Sequence, residues 1–162
     1  MKYFFLVLII LSLNSCYSLK NVSIPPELQT YYINKFDNKT FNSPPVITQL
    51  FEEKLLNKIR NESRLRYQEI DPNIEFSGAI VGYNVLSVAP EPNETTAFNR
   101  LQITVQVSYE NGLDEKDKWQ QNFSFFENYS SDVNLLDVQD NLISLIYDQI
   151  VEDIFNKAFT NW

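Results

Sequence analysis

Apolar residues recur along this chain in two rhythms, one of period two and one of period three to four. Between residues 101 and 109 the alternation is strict, with Leu101, Ile103, Val105, Val107 and Tyr109 on one side and Gln102, Thr104, Gln106 and Ser108 on the other. Such a pattern describes an antiparallel strand with one face buried and one face wet. Asn111-Gly112 and the charged LDEKDK stretch read as the turn or longer loop of a hairpin, and residues 119–129 as the returning strand. Upstream, residues 74–88 (IEFSGAIVGYNVLSV) form a longer strand, in which Gly78 and Gly82 mark a bulge or a backbone passing close. Residues 30–36 (TYYINKF) read as a first strand, followed by a loop bracketed by Asp37-Asn38 and Asn42-Ser43. Residues 66–70 are a short strand candidate ended by Asp71-Pro72, and residues 89–98 (APEPNETTAF) are irregular.

The helical rhythm appears twice. Ile47, Leu50, Phe51, Leu55 and Ile59 recur at three and four residues behind Pro44-Pro45, and the helix fades by Asn61. Val138, Leu142, Leu145, Ile146, Ile150, Ile154 and Phe155 keep the same spacing near the end, with Asp132 or Asp137 as the candidate cap. Strand, helix, several strands, helix is an α+β order: an antiparallel-rich mixed sheet with two helices packed on one face. Residues 29–162 are expected to form one such domain.

The first 28 residues follow neither rhythm. Lys2 precedes an apolar run at residues 3–13, and Asn14-Ser15 then leads into Cys16. A charged start, an apolar stretch of about 7–15 residues and a small residue at the cut describe a secretory signal peptide. A membrane-spanning helix needs about 20 apolar residues. Cys16 is the single cysteine, so no internal disulfide can form, and its place behind Leu13-Asn14-Ser15 resembles a lipobox. There the thiol takes a diacylglyceryl group before the leader, residues 1–15, is removed. Each buried acyl methylene contributes about 0.8 kcal/mol, and stable anchoring takes more than one chain. Residues 16–28 then form the lipidated N-terminus and an extended tether, since Pro25-Pro26 suits neither a helix interior nor a central strand. Tyr17, rather than an aspartate, follows the cysteine, which favours release to the outer membrane, and the lack of an acidic run favours its periplasm-facing side.

Charge and composition remove several functions. The formal net charge is −8. Losing residues 1–15 takes away Lys2 and no acid, so −8 becomes −9, which disfavours a nucleic-acid partner. Histidine is absent, and with it the commonest general base and metal ligand. No metal-ligand spacing, glycine-rich phosphate loop or clustered acid–base pair suggests an enzyme or a cofactor. Trp119, Phe123, Phe125, Phe155 and Phe159 read as core, and Trp162 as core or an exposed contact. An anionic ligand would need cations, and Arg100, Lys116 and Lys118 lie around the central hairpin. Their separation depends on a register that the pattern leaves open, and as a default they are ordinary surface charges.

The segments SIPPE (residues 23–27), NETTAFNRL (93–101), LQITVQV, YSS (129–131) and VEDIFNKAFTNW (151–162) resemble the lipopolysaccharide-assembly lipoprotein family LptE in its Bacteroidetes form. The resemblance implies a two-helix domain with a four-stranded sheet. It also implies that the domain plugs and helps assemble the outer-membrane β-barrel LptD and so supports lipopolysaccharide transport to the surface. Arg100, Lys116 and Lys118 are then the candidate lipopolysaccharide contacts, although the acidic balance opposes a polyanionic lipid unless a local cationic patch overrides it. The competing expectations are a lipoprotein that carries lipid or glycan on the free sheet face without a barrel, and, more remotely, a hydrolase. The Cys16→Ser chain is predicted to lose lipid attachment while its domain stays folded. Its persistence in the membrane fraction of cells lacking a barrel partner would contradict the lipid role of Cys16.

Overall fold

The computed structural model describes residues 24–89 and 97–160. In chain order the elements are β1 (Thr30–Ile33), β2 (Asp37–Asn38), α1 (Ile47–Glu62), β3 (Arg66–Tyr67), β4 (Ile74–Val88), β5 (Phe98–Asn111), β6 (Lys118–Ser130) and α2 (Leu135–Phe159). The expected leader, Cys16, residues 90–96 of the segment expected to be irregular and Trp162 lie outside the described residues. No described helix is long and apolar enough to cross a membrane.

The strict alternation becomes the sheet's inner spine. Leu101, Ile103, Val105 and Val107 are fully buried, and their polar neighbours in sequence face away from the helices. β5 pairs antiparallel with β4 on one side and β6 on the other, while β1 and β2 run parallel to β4. The sheet is therefore mixed, and its order is β3-β1-β4-β5-β6 with β2 also on β4. It has six strands, not four. Residues 30–38 follow β4 twice, at Tyr31–Ile33 against 74–76 and again at Asp37 and Asn38 against Ala79 and Ile80. The residues expected to be one strand and a loop are thus two strands. Between them the Phe36 backbone N–H donates to Glu52 of α1 at 2.7 Å, which breaks the ladder. Two-residue strands such as β2 and β3 carry too little periodicity to read from a pattern.

Both glycines of β4 have a physical reason. A Cβ on Gly78 would stand 2.0 Å from the Gln106 carbonyl oxygen and 2.7 Å from the Phe36 ring. Between Ile80 and Gly82 the register shifts, leaving Val81 as the extra residue of a bulge.

The helices cover one face. α1 buries the Ile47, Phe51, Leu55 and Ile59 stripe, and α2 buries residues that include Leu142, Ile143, Ile146, Tyr147, Ile150 and Val151. The cap of α2 is neither Asp132 nor Asp137. Asn134 accepts the Leu136 N–H at 3.1 Å, while Asp132 accepts from the Ser130 hydroxyl. Leu145, expected in the buried stripe, is exposed. The core is strongly aromatic: Phe51 meets Tyr147 edge-on at 5.2 Å and Phe36 at 4.9 Å, and Phe76 meets Tyr109 at 5.5 Å. Phe123, Phe155 and Phe159 are buried as expected, and Trp119 and Phe125 half-buried against the same core. The Tyr147 hydroxyl donates to the Ile47 carbonyl at 3.1 Å, joining α2 to the first residue of α1. Lys54 pairs with Asp148 at 2.5 Å, and Lys58 bridges Glu62 and Glu152 across the same helix pair.

Two predictions follow from this core. Gly78→Ala should lower unfolding free energy by about 1–3 kcal/mol, since either β5 or the Phe36 ring must give way, and denaturant titration reads it directly. The second concerns alkali. Burial raises the Tyr147 phenol far above the ordinary value of about 10, with Tyr83 adding to the shift. Burial and then the nearby Asp117 carboxylate do the same for Tyr109. Desolvation alone would lower Lys58, but its bonds to Glu152 and Glu62 outweigh this and raise it. All three groups hold their protons longer folded than unfolded, so their contribution is complete below about pH 10 and declines above it. Tyr147→Phe should shallow that alkaline decline by up to about 1.4 kcal/mol per pH unit. It should also cost about 1 kcal/mol at neutral pH through the lost bond to Ile47.

Candidate functional site

With both helices on one side, the other face of β4, β5 and β6 is left without a covering layer among the described residues. Its composition follows from register. Even-numbered residues of β5 stand opposite even-numbered residues of β6: Gln102 opposite Phe126, Thr104 opposite Ser124, Gln106 opposite Asn122 and Ser108 opposite Gln120. Ser77, Ala79, Gly82 and Asn84 of β4 complete the rows. On these three strands the middle of the face is therefore free of charge and, apart from Phe126, Ala79 and Gly82, built mainly from amides and hydroxyls. They bond to one another across strands, Gln102 and Thr104 to the Ser124 hydroxyl at 3.2 and 3.0 Å and Gln120 to Ser108 at 3.1 Å. Cross-strand polar pairs of this kind stiffen a sheet surface.

On β4, β5 and β6 charge is confined to the two ends, while Asp37 of the short β2 stands beside Ala79 at the margin of the middle row. Register settles what the sequence pattern left open: Lys118 pairs with Glu110 near the turn, and Arg100 pairs with Asn128 at the far end. Ten residues of β5 separate these rows, about 33 Å along the strand. At the turn end Glu75 lies next to Glu110, and a cavity of about 330 Å³ there is lined by Glu75, Glu110, Glu115 and Lys118 among others. Lys116 sits in the intervening loop with Asp114, Glu115 and Asp117 as chain neighbours. Carboxylates thus outnumber both lysines at this end.

Arg100 has a different setting. Its guanidinium lies 3.7 Å from the centre of the Phe126 ring, and its Nε donates to Asn128 at 3.0 Å. Leu86 stands across from it on β4, exposed like Phe126. Among the described residues no carboxylate is paired with it. A guanidinium held flat on an aromatic ring is pre-oriented, and its terminal nitrogens keep free donors for a planar or tetrahedral anion. The three candidate cations are accordingly not one cluster: Arg100 stands alone beside apolar side chains, and Lys116 and Lys118 stand among acids.

A second concavity, of about 550 Å³, runs between α1 and α2, where the Lys54 and Lys58 ion pairs occupy its walls. No group of acids able to hold a metal ion occurs among the described residues. Phe126 and Leu86 were missed as site residues in the sequence. They look like ordinary strand positions until Arg100 is placed between them.

The family model for lipopolysaccharide assembly, LptE, matches residues 28–158. The chain belongs to the LptE family. As a member it is a lipopolysaccharide-assembly protein. No curated protein matches it. Among solved structures, a minor lipoprotein from Acinetobacter baumannii superposes with a TM-score of 0.53 at 12% identity, covering 81% of this chain and 92% of that one. The protein CT253 from Chlamydia trachomatis gives 0.53 at 8% identity, covering 82% and 99%. At such identities the likeness shows the fold alone, and the LptE assignment rests on the family match.

Proposed function

We propose that this LptE-family chain is an outer-membrane lipoprotein, acylated at Cys16 and facing the periplasm, that plugs and helps assemble an LptD-type β-barrel and so supports lipopolysaccharide transport. Its role is non-catalytic. The observation that carries the reading, beside family membership, is the uncharged amide and hydroxyl face of β4, β5 and β6. The interior of a wide outer-membrane barrel is polar and hydrated. A plug seated in it must present polar groups without unpaired charge, because a charge desolvated by docking carries a penalty that a neutral amide avoids. A sheet whose uncovered middle on β4, β5 and β6 is mainly Gln, Asn, Ser and Thr meets that demand while its apolar side is already sealed by helices.

Within this reading Arg100 is the favoured lipopolysaccharide contact of the three candidates. Its guanidinium is positioned by Phe126 and Asn128 and adjoins exposed apolar carbon, which suits a ligand carrying both phosphate and acyl groups. Lys116 and Lys118 are weaker candidates because carboxylates surround them.

Pull-down of the tagged full-length chain from solubilised outer membranes is the test. A large β-barrel should co-purify, and Gln106→Trp, which places bulk in the middle of the polar face, should cut its recovery about tenfold with unchanged folding. Arg100→Ala should weaken lipopolysaccharide binding several-fold, while Lys118→Ala leaves it near the parent value. Absence of a barrel, or full recovery with Gln106→Trp, would defeat the plug reading. Retained lipopolysaccharide binding without a barrel would favour the lipid- or glycan-carrying alternative.

A further inference from the structure

β6 is the long edge of the sheet, paired with β5 on one side and with no described strand on the other. The backbone bonds of the hairpin show which of its groups are spare. Asn111 N–H donates to Asp117 C=O and Ser131 N–H to Ala97 C=O, so odd-numbered residues of β6 direct their backbone groups toward β5. Even-numbered residues in Lys118–Ser130 direct theirs outward. Proteins usually blunt such an edge with proline, a bulge or charges along it. β6 has no proline and no register shift, and its charges are Lys118 at one end and Glu127 near the other.

The geometry points to β6 pairing with β6 of a second copy of this chain, antiparallel about a two-fold axis at Ser124. That register is the self-complementary one. On the helix side it sets Trp119 opposite Tyr129 and Phe123 opposite Phe125, four aromatics of which Trp119 and Phe125 are only half-buried in the single chain. On the polar side Gln120 faces Asn128. No like charges meet: Glu127 faces Gln121, and the Lys118 end lies beside Ser130 and the Asp132 that it hydrogen-bonds. Cross-strand aromatic and polar pairs are the favourable kinds, and opposed like charges the unfavourable one. Both helix layers then lie on the same side, the two sheets join edge to edge, and the polar faces form one continuous surface. The pairing rests on the β6 edge alone and describes the chain outside a barrel, since the joined sheets double the width of a single plug. The net charge of −8 on each copy opposes association over long range, and physiological salt screens it beyond about 8 Å.

Light scattering of the full-length chain in detergent should give a dimer at on the order of 0.1 mM. Ser124→Lys places two ammonium groups face to face on the axis and should raise the dimer dissociation constant about tenfold or more, with unchanged circular dichroism. In a Cys16→Ser background, Ser124→Cys should give a disulfide-linked dimer on mild oxidation, because paired strands hold such residues within about 5.5 Å. Gln106→Cys, on β5 and flanked by strands on both sides, should not. A monomer at that concentration, a dimer indifferent to Ser124→Lys, or equal cross-linking through Gln106→Cys would each overturn the proposal.

Discussion

Tyr147 sits where the two helices meet. Its ring packs edge-on against Phe51 of α1, its hydroxyl donates to the Ile47 carbonyl, and the residue is wholly buried among apolar neighbours. The arrangement matters because α1 and α2 are separated in sequence by nearly the whole sheet, and each alone would leave its apolar stripe facing water. Packing the two helices together over a single face lets one core absorb both stripes and the inner side of β5 at once. A buried phenol without an acceptor would be costly, so the bond to Ile47 also specifies how α2 lies on the start of α1.

One-sided coverage has consequences at a distance. Since the core consumes only the odd-numbered residues of β5 and β6, the even-numbered ones are left to form a polar surface, and their side chains satisfy one another across strands. The helices lie over the face, and no described strand pairs with the outer backbone of β6. The same register places Arg100 and Lys118 at opposite ends of a strand pair. A cationic patch that could have drawn the three basic residues together therefore does not exist. Arg100 is left as a stacked guanidinium in mildly apolar company, and the lysines sit within an acidic turn.

Much of this was legible beforehand, and the reasons are specific. Residues 101–109 alternate strictly and residues 74–88 form a long run rich in strand-favouring residues, and β4 spans 74–88 in the structure. The helical stripes at Ile47, Phe51, Leu55 and Ile59 and at Leu142, Ile146, Ile150 and Ile154 are long enough for periodicity to be unambiguous. β2 and β3 were not legible at their true extent, since two residues carry no period and their pairing partners lie about 40 residues away. Asn134 does not stand out as the cap in the sequence because aspartates lie nearby with equal intrinsic preference, and only backbone geometry chooses between them. The Arg100 platform was half visible: the cation could be named, but Phe126 and Leu86 join it only through pairings on two other strands.

The amino-acid sequence by itself determined the class of the fold, most of its buried faces and the absence of histidine, because each follows from local spacing or composition. Tertiary structure alone decided the number of described strands, the parallel placement of β1 and β2 on β4, the distance between Arg100 and Lys118, and the place of β6 at the end of the described sheet. These depend on register. A shift of two residues leaves every hydrophobic position on its proper face, so the pattern of apolar and polar residues cannot distinguish one register from the next. The tight approach at Gly78, the bulge at Val81 and the contacts of the two helices do.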